Sequence, residues 1–281
     1  MKRKKQKIIF IGTSLFAIAT LEKLIENNYE ILTVITAPDK PVGRKQELTL
    51  PPVKEIALKY NLSILQPEKI GKIEKEISQL EPDLMIIASY GQIIPQDILD
   101  IPRKGTLNLH PSLLPKYRGP SPIQTSILNG DEKTGTTIML VDEKMDHGSI
   151  IAQEETIIDH DDTYESLENK LSEQSANLLI QILPRYFKNK IRPKIQDENN
   201  ATYTKILTRE DGKIDLEKNI QETERKVRAF YPWPGTWTEI NSQRIKILKV
   251  KIKDGLLFLE LVQPSGKEPM TGEEFFRGHK K

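Results

Sequence analysis

Short apolar runs alternate with stretches of helical spacing through the first two thirds of the chain. Ile8-Ile9-Phe10-Ile11 is a continuous apolar run closed by Gly12-Thr13-Ser14, and Phe16 to Ile25 then carries apolar residues at helical spacing. Glu30 to Thr36 reads as a second strand, Pro52 to Tyr60 as a helix and Asn61 to Leu65 as a short strand. Leu84-Met85-Ile86-Ile87-Ala88 has no polar position, which in an α/β setting means burial on both faces; Ser89-Tyr90-Gly91-Gln92 breaks it. Strands separated by helical segments imply right-handed crossovers and a mostly parallel sheet.

Further on, Pro122 to Leu128 reads as a helix ended by Gly130-Asp131, and Thr136 to Val141 and Ile150 to Ala152 as strands flanking the polar loop Asp142 to Gly148. Tyr164 to Phe187 has helical periodicity, with Pro184 ending or kinking it. Asn189 to Thr204 is polar with no sustained apolar pattern and reads as a linker. Beyond it come a short helix, Glu222 to Phe230, a rigid turn, Tyr231 to Gly235, and a remainder that reads as strands. From Arg244 to Lys253 the apolar phase changes parity at Leu248, so a β-bulge there would keep one face apolar and the other basic. Those lysines serve either to guard a sheet edge or to face RNA. Asp254-Gly255 is a two-residue hairpin signal before the strand Leu256 to Val262.

The candidate chemistry lies in Asn108 to Gly119. In a strand, Asn108 and His110 share a face while Leu107 and Leu109 point into the packing, and Pro111 stops the strand beyond them. An amide beside an imidazole suits a carbonyl oxygen that gathers negative charge, and the imidazole can also move a proton, so acyl transfer is the natural reaction class. Taken alone, an N-x-H tripeptide is more often a surface asparagine and a capped histidine at a strand end; its neighbours decide. Ser112 lacks a G-x-S-x-G elbow, which disfavours a serine hydrolase. Gly12 stands without the other glycines of G-x-G-x-x-G, which disfavours a dinucleotide-dependent oxidoreductase. The loop Ala37 to Lys45 carries three basic residues and reads either as a solvated loop or as a phosphate contact.

Composition changes this picture little. The 281 residues suffice for one large domain or for a medium and a small one, and the formal charge of +2 gives no strong global field for nucleic acid, so RNA contacts must come from local patches. Zero cysteines exclude disulfides, thiolate catalysis and cysteine-ligated metal, and the four histidines lack metal-site spacing. No apolar run approaches the roughly 20 residues that span a bilayer, and the basic start Lys2-Arg3-Lys4-Lys5 precedes no signal-peptide core; a cytoplasmic protein is expected.

Asn108-Leu109-His110-Pro111-Ser112-Leu113-Leu114-Pro115, followed by Tyr117-Arg118-Gly119-Pro120, resembles the signature of the folate-dependent formyltransferases. The likeness runs from about Lys7 to the C-terminal region. It includes Gly12-Thr13 before Phe16-Ala17, Pro38 to Arg44, Ser89-Tyr90-Gly91 before Ile94-Pro95, Gly135 to Met139, and Met145-Asp146-His147-Gly148. Pro122-Ile123-Gln124 and Arg228-Ala229-Phe230-Tyr231-Pro232-Trp233-Pro234 resemble the branch that acts on methionyl initiator tRNA.

This resemblance implies an α/β fold: a Rossmann-like catalytic domain with a mostly parallel sheet over residues 1–188, a linker over 189–205, and a smaller OB-like β-barrel that binds tRNA over 206–281. It implies 10-formyltetrahydrofolate as formyl donor with no metal, charged initiator tRNA as acceptor, and a monomer. It makes Asn108, His110 and Asp146 the catalytic positions, lines the folate site with Ser112, Leu113, Leu114 and Pro115, and gives Arg44 a phosphate or acceptor-end contact. His147 is the rival proton carrier, expected to face solvent because the family pattern specifies the aspartate and not its successor. Relatives that formylate glycinamide ribonucleotide or an amino sugar share the three polar residues and differ in the amine pocket. The chain departs from the family in its barrel, where one hairpin replaces additional strands after Lys253; a shortened barrel with an exposed edge is expected.

Overall fold

The computed structural model describes residues 5–42, 47–240 and 242–277. Its elements run β1 (Lys7–Gly12), α1 (Ile18–Glu26), β2 (Glu30–Ile35), the small hairpin β3 (Lys40–Val42) and β4 (Glu47–Thr49), α2 (Pro52–Lys59), β5 (Ile64–Leu65), α3 (Glu74–Gln79) and β6 (Leu84–Ala88). Then come α4 (Gln96–Leu99), β7 (Thr106–His110), α5 (Pro122–Asn129), β8 (Lys133–Leu140), β9 (Ile150–Ile157) and α6 (Tyr164–Tyr186). The C-terminal part holds α7 (Ile220–Phe230), β10 (Thr236–Ile240), β11 (Gln243–Lys253), β12 (Leu256–Pro264), β13 (Met270–Thr271) and α8 (Gly272–Arg277).

Packing divides the chain into two compact units. One comprises Met1–Arg118, Gly135–Thr156 and Asn169–Tyr203, the other Gly119–Thr134, Ile157–Glu168 and Thr204–Lys281, so the chain passes between them several times. The first carries a seven-stranded sheet in the order β5-β2-β1-β6-β7-β8-β9, with β5, β2, β1, β6 and β7 parallel and β8 antiparallel to β7. That is the Rossmann-like, mostly parallel architecture the strand pattern implies. Every residue of β6 is buried, as expected of a strand covered on both faces. Ile9, Ile11, Met85 and Ile87 form one core cluster with Ile77 of α3 and Ile98 and Leu99 of α4.

Gly12 has a packing reason rather than a phosphate-binding one. A Cβ there would lie 2.9 Å from both the Ala17 Cβ and the Ala88 carbonyl oxygen, so only glycine lets helix and neighbouring strand approach the end of β1. The crevice where strand order reverses lies beyond β1 and β6, where such folds bind ligands. There Thr13 N donates to Ser89 O (3.1 Å) and Ser14 Oγ to Ser89 Oγ (2.7 Å). The segment from Ala37 differs from the simple loop expected, because β3 pairs antiparallel with β4. Asp39 anchors its base, accepting from Gln66 Nε2 (2.8 Å) and Lys54 Nζ (2.6 Å), bonds that hold its carboxyl below the usual range. Arg44 lies outside the described residues.

The second unit contains the antiparallel sheet β10-β11-β12-β13, a small barrel-like arrangement without pairing between β10 and β13 among the described residues. Ile214, Val227, Ile245, Ile247, Val262 and Phe275 form its core. The register of β11 against β12 shifts between Ile247 and Val250, which places the bulge where the apolar parity changes. Asp254 (φ 51°) and Gly255 (φ 73°) form the left-handed two-residue turn. One element departs from the strand reading of the C-terminal segment: Gly272–Arg277 is helical. Thr271 and Glu274 cap each other reciprocally, with Glu274 Oε2 accepting from Thr271 N (2.9 Å) and Thr271 Oγ1 accepting from Glu274 N (3.2 Å), while Phe275 buries in the core. The T-x-x-E pattern before an apolar pair was the available signal.

Candidate active site

Strand parity places Asn108 and His110 together as expected. β7 ends at His110, its Leu107 and Leu109 are buried, and Asn108 is half-buried. The third residue arrives from the loop between β8 and β9. Asn108 Nδ2 donates to Asp146 Oδ1 at 3.3 Å, and Asp146 Oδ2 lies 3.6 Å from His110 Nδ1. The other imidazole nitrogen, Nε2, donates to the Tyr117 carbonyl at 2.9 Å; since a carbonyl only accepts, that nitrogen carries a hydrogen. Nδ1 is therefore the nitrogen left facing the Asp146 carboxylate.

Two of these positions rest on uncommon backbone. Asp146 (φ 48°) and Tyr117 (φ 60°) are non-glycine residues in the left-handed region, as is Ser89 (φ 50°). Such conformations cost roughly 1–3 kcal/mol each and persist where surroundings fix them. At Tyr117 the fixing groups are Thr202 Oγ1, which accepts from Tyr117 N at 2.8 Å, and His110. Near Asp146, a Cβ on Gly148 would lie 1.8 Å from Leu140 O, so the loop returns beside β8 only because that position is glycine.

The four residues expected to line the folate site divide by exposure. Ser112 and Leu114 are buried, with Ser112 Oγ donating to Lys116 O (2.7 Å) and Leu114 N to Thr137 Oγ1 (3.1 Å). Leu113 and Pro115 are half-buried. Gln153 Nε2 holds the same loop through Leu114 O (2.9 Å) and Thr137 Oγ1 (2.7 Å). In the switch-point segment, Tyr90 is buried with its hydroxyl unpartnered among the described residues, and burial pushes its pKa up to about 12, so it remains a donor at neutral pH.

His147 is partly exposed, its side chain 31% accessible, between two carboxylates at the surface. Its Nδ1 lies 2.7 Å from Asp142 Oδ2 and its Nε2 3.4 Å from Glu198 Oε1. Glu198 in turn accepts from the fully buried guanidinium of Arg118, through Nη2 to Oε1 at 2.6 Å and Nη1 to Oε2 at 3.1 Å, a pairing that holds the Glu198 carboxyl below its ordinary value. The stretch read as a linker thus contributes side chains around the aspartate loop. Its polar sequence gave no periodic signal for this.

Known proteins match this chain along most of its length. A formyl transferase model matches residues 6–183, and a formyl transferase C-terminal domain model matches 206–256. The second match stops at the hairpin where the barrel was expected to be short. The chain is 40% identical over 299 residues to a methionyl-tRNA formyltransferase of Bacillus subtilis, covering 97% of this chain and 94% of that protein. It is 38% identical over 302 residues to one from a Sulfurihydrogenibium species, covering 98% and 97%. Among solved structures, an N-formyltransferase from Helicobacter canadensis, in complex with folinic acid and dTDP-3-aminofucose, superposes with a TM-score of 0.69 at 22% identity over 93% of this chain and 96% of that one.

Proposed function

The chain belongs to the methionyl-tRNA formyltransferase family, and from that premise we propose how its residues carry out the family's reaction. The reaction moves the formyl group of 10-formyltetrahydrofolate to the free amino group of methionyl-tRNA. The observation that carries the assignment of roles is the placing of one carboxylate, Asp146, beside both the amide of Asn108 and the imidazole of His110.

Free α-amino groups titrate near roughly 8, so a neutral amine is available at physiological pH and no strong base is needed for attack. As the amine nitrogen bonds to the formyl carbon, the carbonyl oxygen becomes an oxyanion that Asn108 Nδ2 and His110 Nδ1–H stabilise, the ring entering the step as imidazolium because Nε2 already holds a hydrogen on the Tyr117 carbonyl. Asp146 accepts the proton that the amine nitrogen must lose, directly or through water. His110 gives a proton to N10 of the folate as the carbon–nitrogen bond breaks, and Asp146 returns one to the imidazole. The proton balance closes: one hydrogen leaves the amine and one reaches tetrahydrofolate. Leu113 and Pro115, the less buried members of their loop, meet the folate.

Residues 206–281 supply the tRNA-binding surface in this proposal, Arg44 contacts a phosphate near the acceptor end, and the working form is a cytoplasmic monomer. Among the described residues no helix is long and apolar enough to cross a membrane. Arg44→Ala is expected to weaken binding of charged tRNA and to lower the slope of log affinity against log salt by about one; filter binding at several salt concentrations checks this, and unchanged affinity and slope would remove the role. The reaction itself is tested with labelled 10-formyltetrahydrofolate offered separately with methionyl initiator tRNA, glycinamide ribonucleotide and an amino-sugar nucleotide. Label is expected on the tRNA alone, and label on either other amine in its place would overturn the substrate assignment.

A further inference from the structure

Gln196 lies in the polar stretch before β10, yet it is only 6% exposed, and its amide is oriented by what surrounds it. Its Oε1 accepts from Arg118 Nε (3.1 Å) and Nη2 (2.9 Å). A guanidinium has donors and no acceptor, so the oxygen must be the atom that faces it. That leaves Nε2 on the other side, where it donates to Asp146 O (2.9 Å) and Gly148 O (2.8 Å). Both amide hydrogens are thereby directed at the loop that carries the carboxylate.

We infer that Gln196, oriented by Arg118, is the positioning residue that holds Asp146 against Asn108 and His110. The loop needs such a hold. No regular element covers residues 141–149, and Asp146 occupies left-handed backbone that a non-glycine residue keeps only when its surroundings impose it. The hold is itself anchored: the Arg118 charge is fully buried and matched by Glu198, with Nη1 also donating to Tyr203 Oη at 3.0 Å. A displacement of about 1 Å at a reacting group can cost around 100-fold in rate, so a support one bond removed from the carboxylate has leverage on turnover. The inference rests on the reading of Asp146 as the proton acceptor.

Gln196→Glu separates positioning from mere packing because it keeps the shape and still accepts from Arg118, while an oxygen replaces the donor facing two carbonyls. Expected is a 10- to 100-fold fall in kcat, with KM for 10-formyltetrahydrofolate and for methionyl-tRNA within about twofold. In an Asp146→Ala background the same substitution should lower single-turnover formyl transfer no further, because the group it positions is gone. An equal loss in both backgrounds, or a raised KM at unchanged kcat, would overturn the inference. Gln196→Met, which removes the donors without adding charge, should give the same kcat loss with cooperative thermal unfolding retained; failure of both variants to fold would assign Gln196 to stability alone and overturn the inference too. Wild-type turnover in Asp146→Ala by itself would instead remove the reading of Asp146, whatever the Gln196 variants did.

Discussion

Asn108→Ala is expected to lower kcat for formyl transfer by about 100- to 1000-fold, the usual cost of one lost oxyanion donor, with both Michaelis constants changed by no more than about threefold. The expectation follows from where the amide sits. Asn108 is half-buried on β7 with its Nδ2 on Asp146, and its neighbours Leu107 and Leu109 supply the buried packing. Truncation therefore removes a polar group from the cleft and leaves the strand intact. A donor that strengthens its bond only as the carbonyl oxygen becomes negative affects turnover more than ground-state binding. Steady-state kinetics with labelled formyl donor, alongside circular dichroism to verify the fold, checks this. Turnover within threefold of wild type would remove Asn108 from the chemistry.

His110→Ala is expected to cost more, on the order of 1000- to 10,000-fold in kcat, because one side chain supplies both a donor to the oxyanion and the proton for the leaving nitrogen. His110 is only 4% exposed, and its Nε2 satisfies the Tyr117 carbonyl, so the alanine variant also leaves a cavity and an unpaired acceptor. A loss of roughly 1–3 kcal/mol of stability should accompany the kinetic loss. Added imidazole separates the two effects: it should restore part of the activity to His110→Ala and none to Asn108→Ala, since a diffusible base replaces a proton carrier but not a fixed amide. Activity of His110→Ala that tracks only its melting temperature would make the histidine a structural residue.

What could be read from the sequence was whatever had a local period or a local stop. The five apolar residues of β6, the alternation that pairs Asn108 with His110 before Pro111, the parity change at Leu248 and the Asp254-Gly255 turn each declare themselves within a few positions, and each stands in the structure as read. Features closed by contacts distant in sequence declared nothing. Asp146 meets Asn108 across 38 positions, a placement that came from family resemblance and not from any pattern in the loop. Gln196 reaches Asp146 across 50 positions from a stretch whose polarity reads as solvent exposure, although the polar groups serve a buried arginine. The hairpin beyond Ala37 and the pairing of His147 with Glu198 were missed for the same reason: Asp39 bonds to Gln66 and Lys54, and Glu198 lies far along the chain from His147. The C-terminal helix is a different case, since its capping pair was visible and six residues gave too short a period to outweigh the strands before it.

The most direct test of the three-group centre is single-turnover formyl transfer by Asp146→Asn, with 10-formyltetrahydrofolate and methionyl-tRNA both saturating. The substitution keeps the shape of the side chain and removes its charge and its capacity to take a proton. A rate at least about 100-fold below wild type, with affinity for both substrates unchanged, is the predicted result; a rate within twofold of wild type would contradict the account.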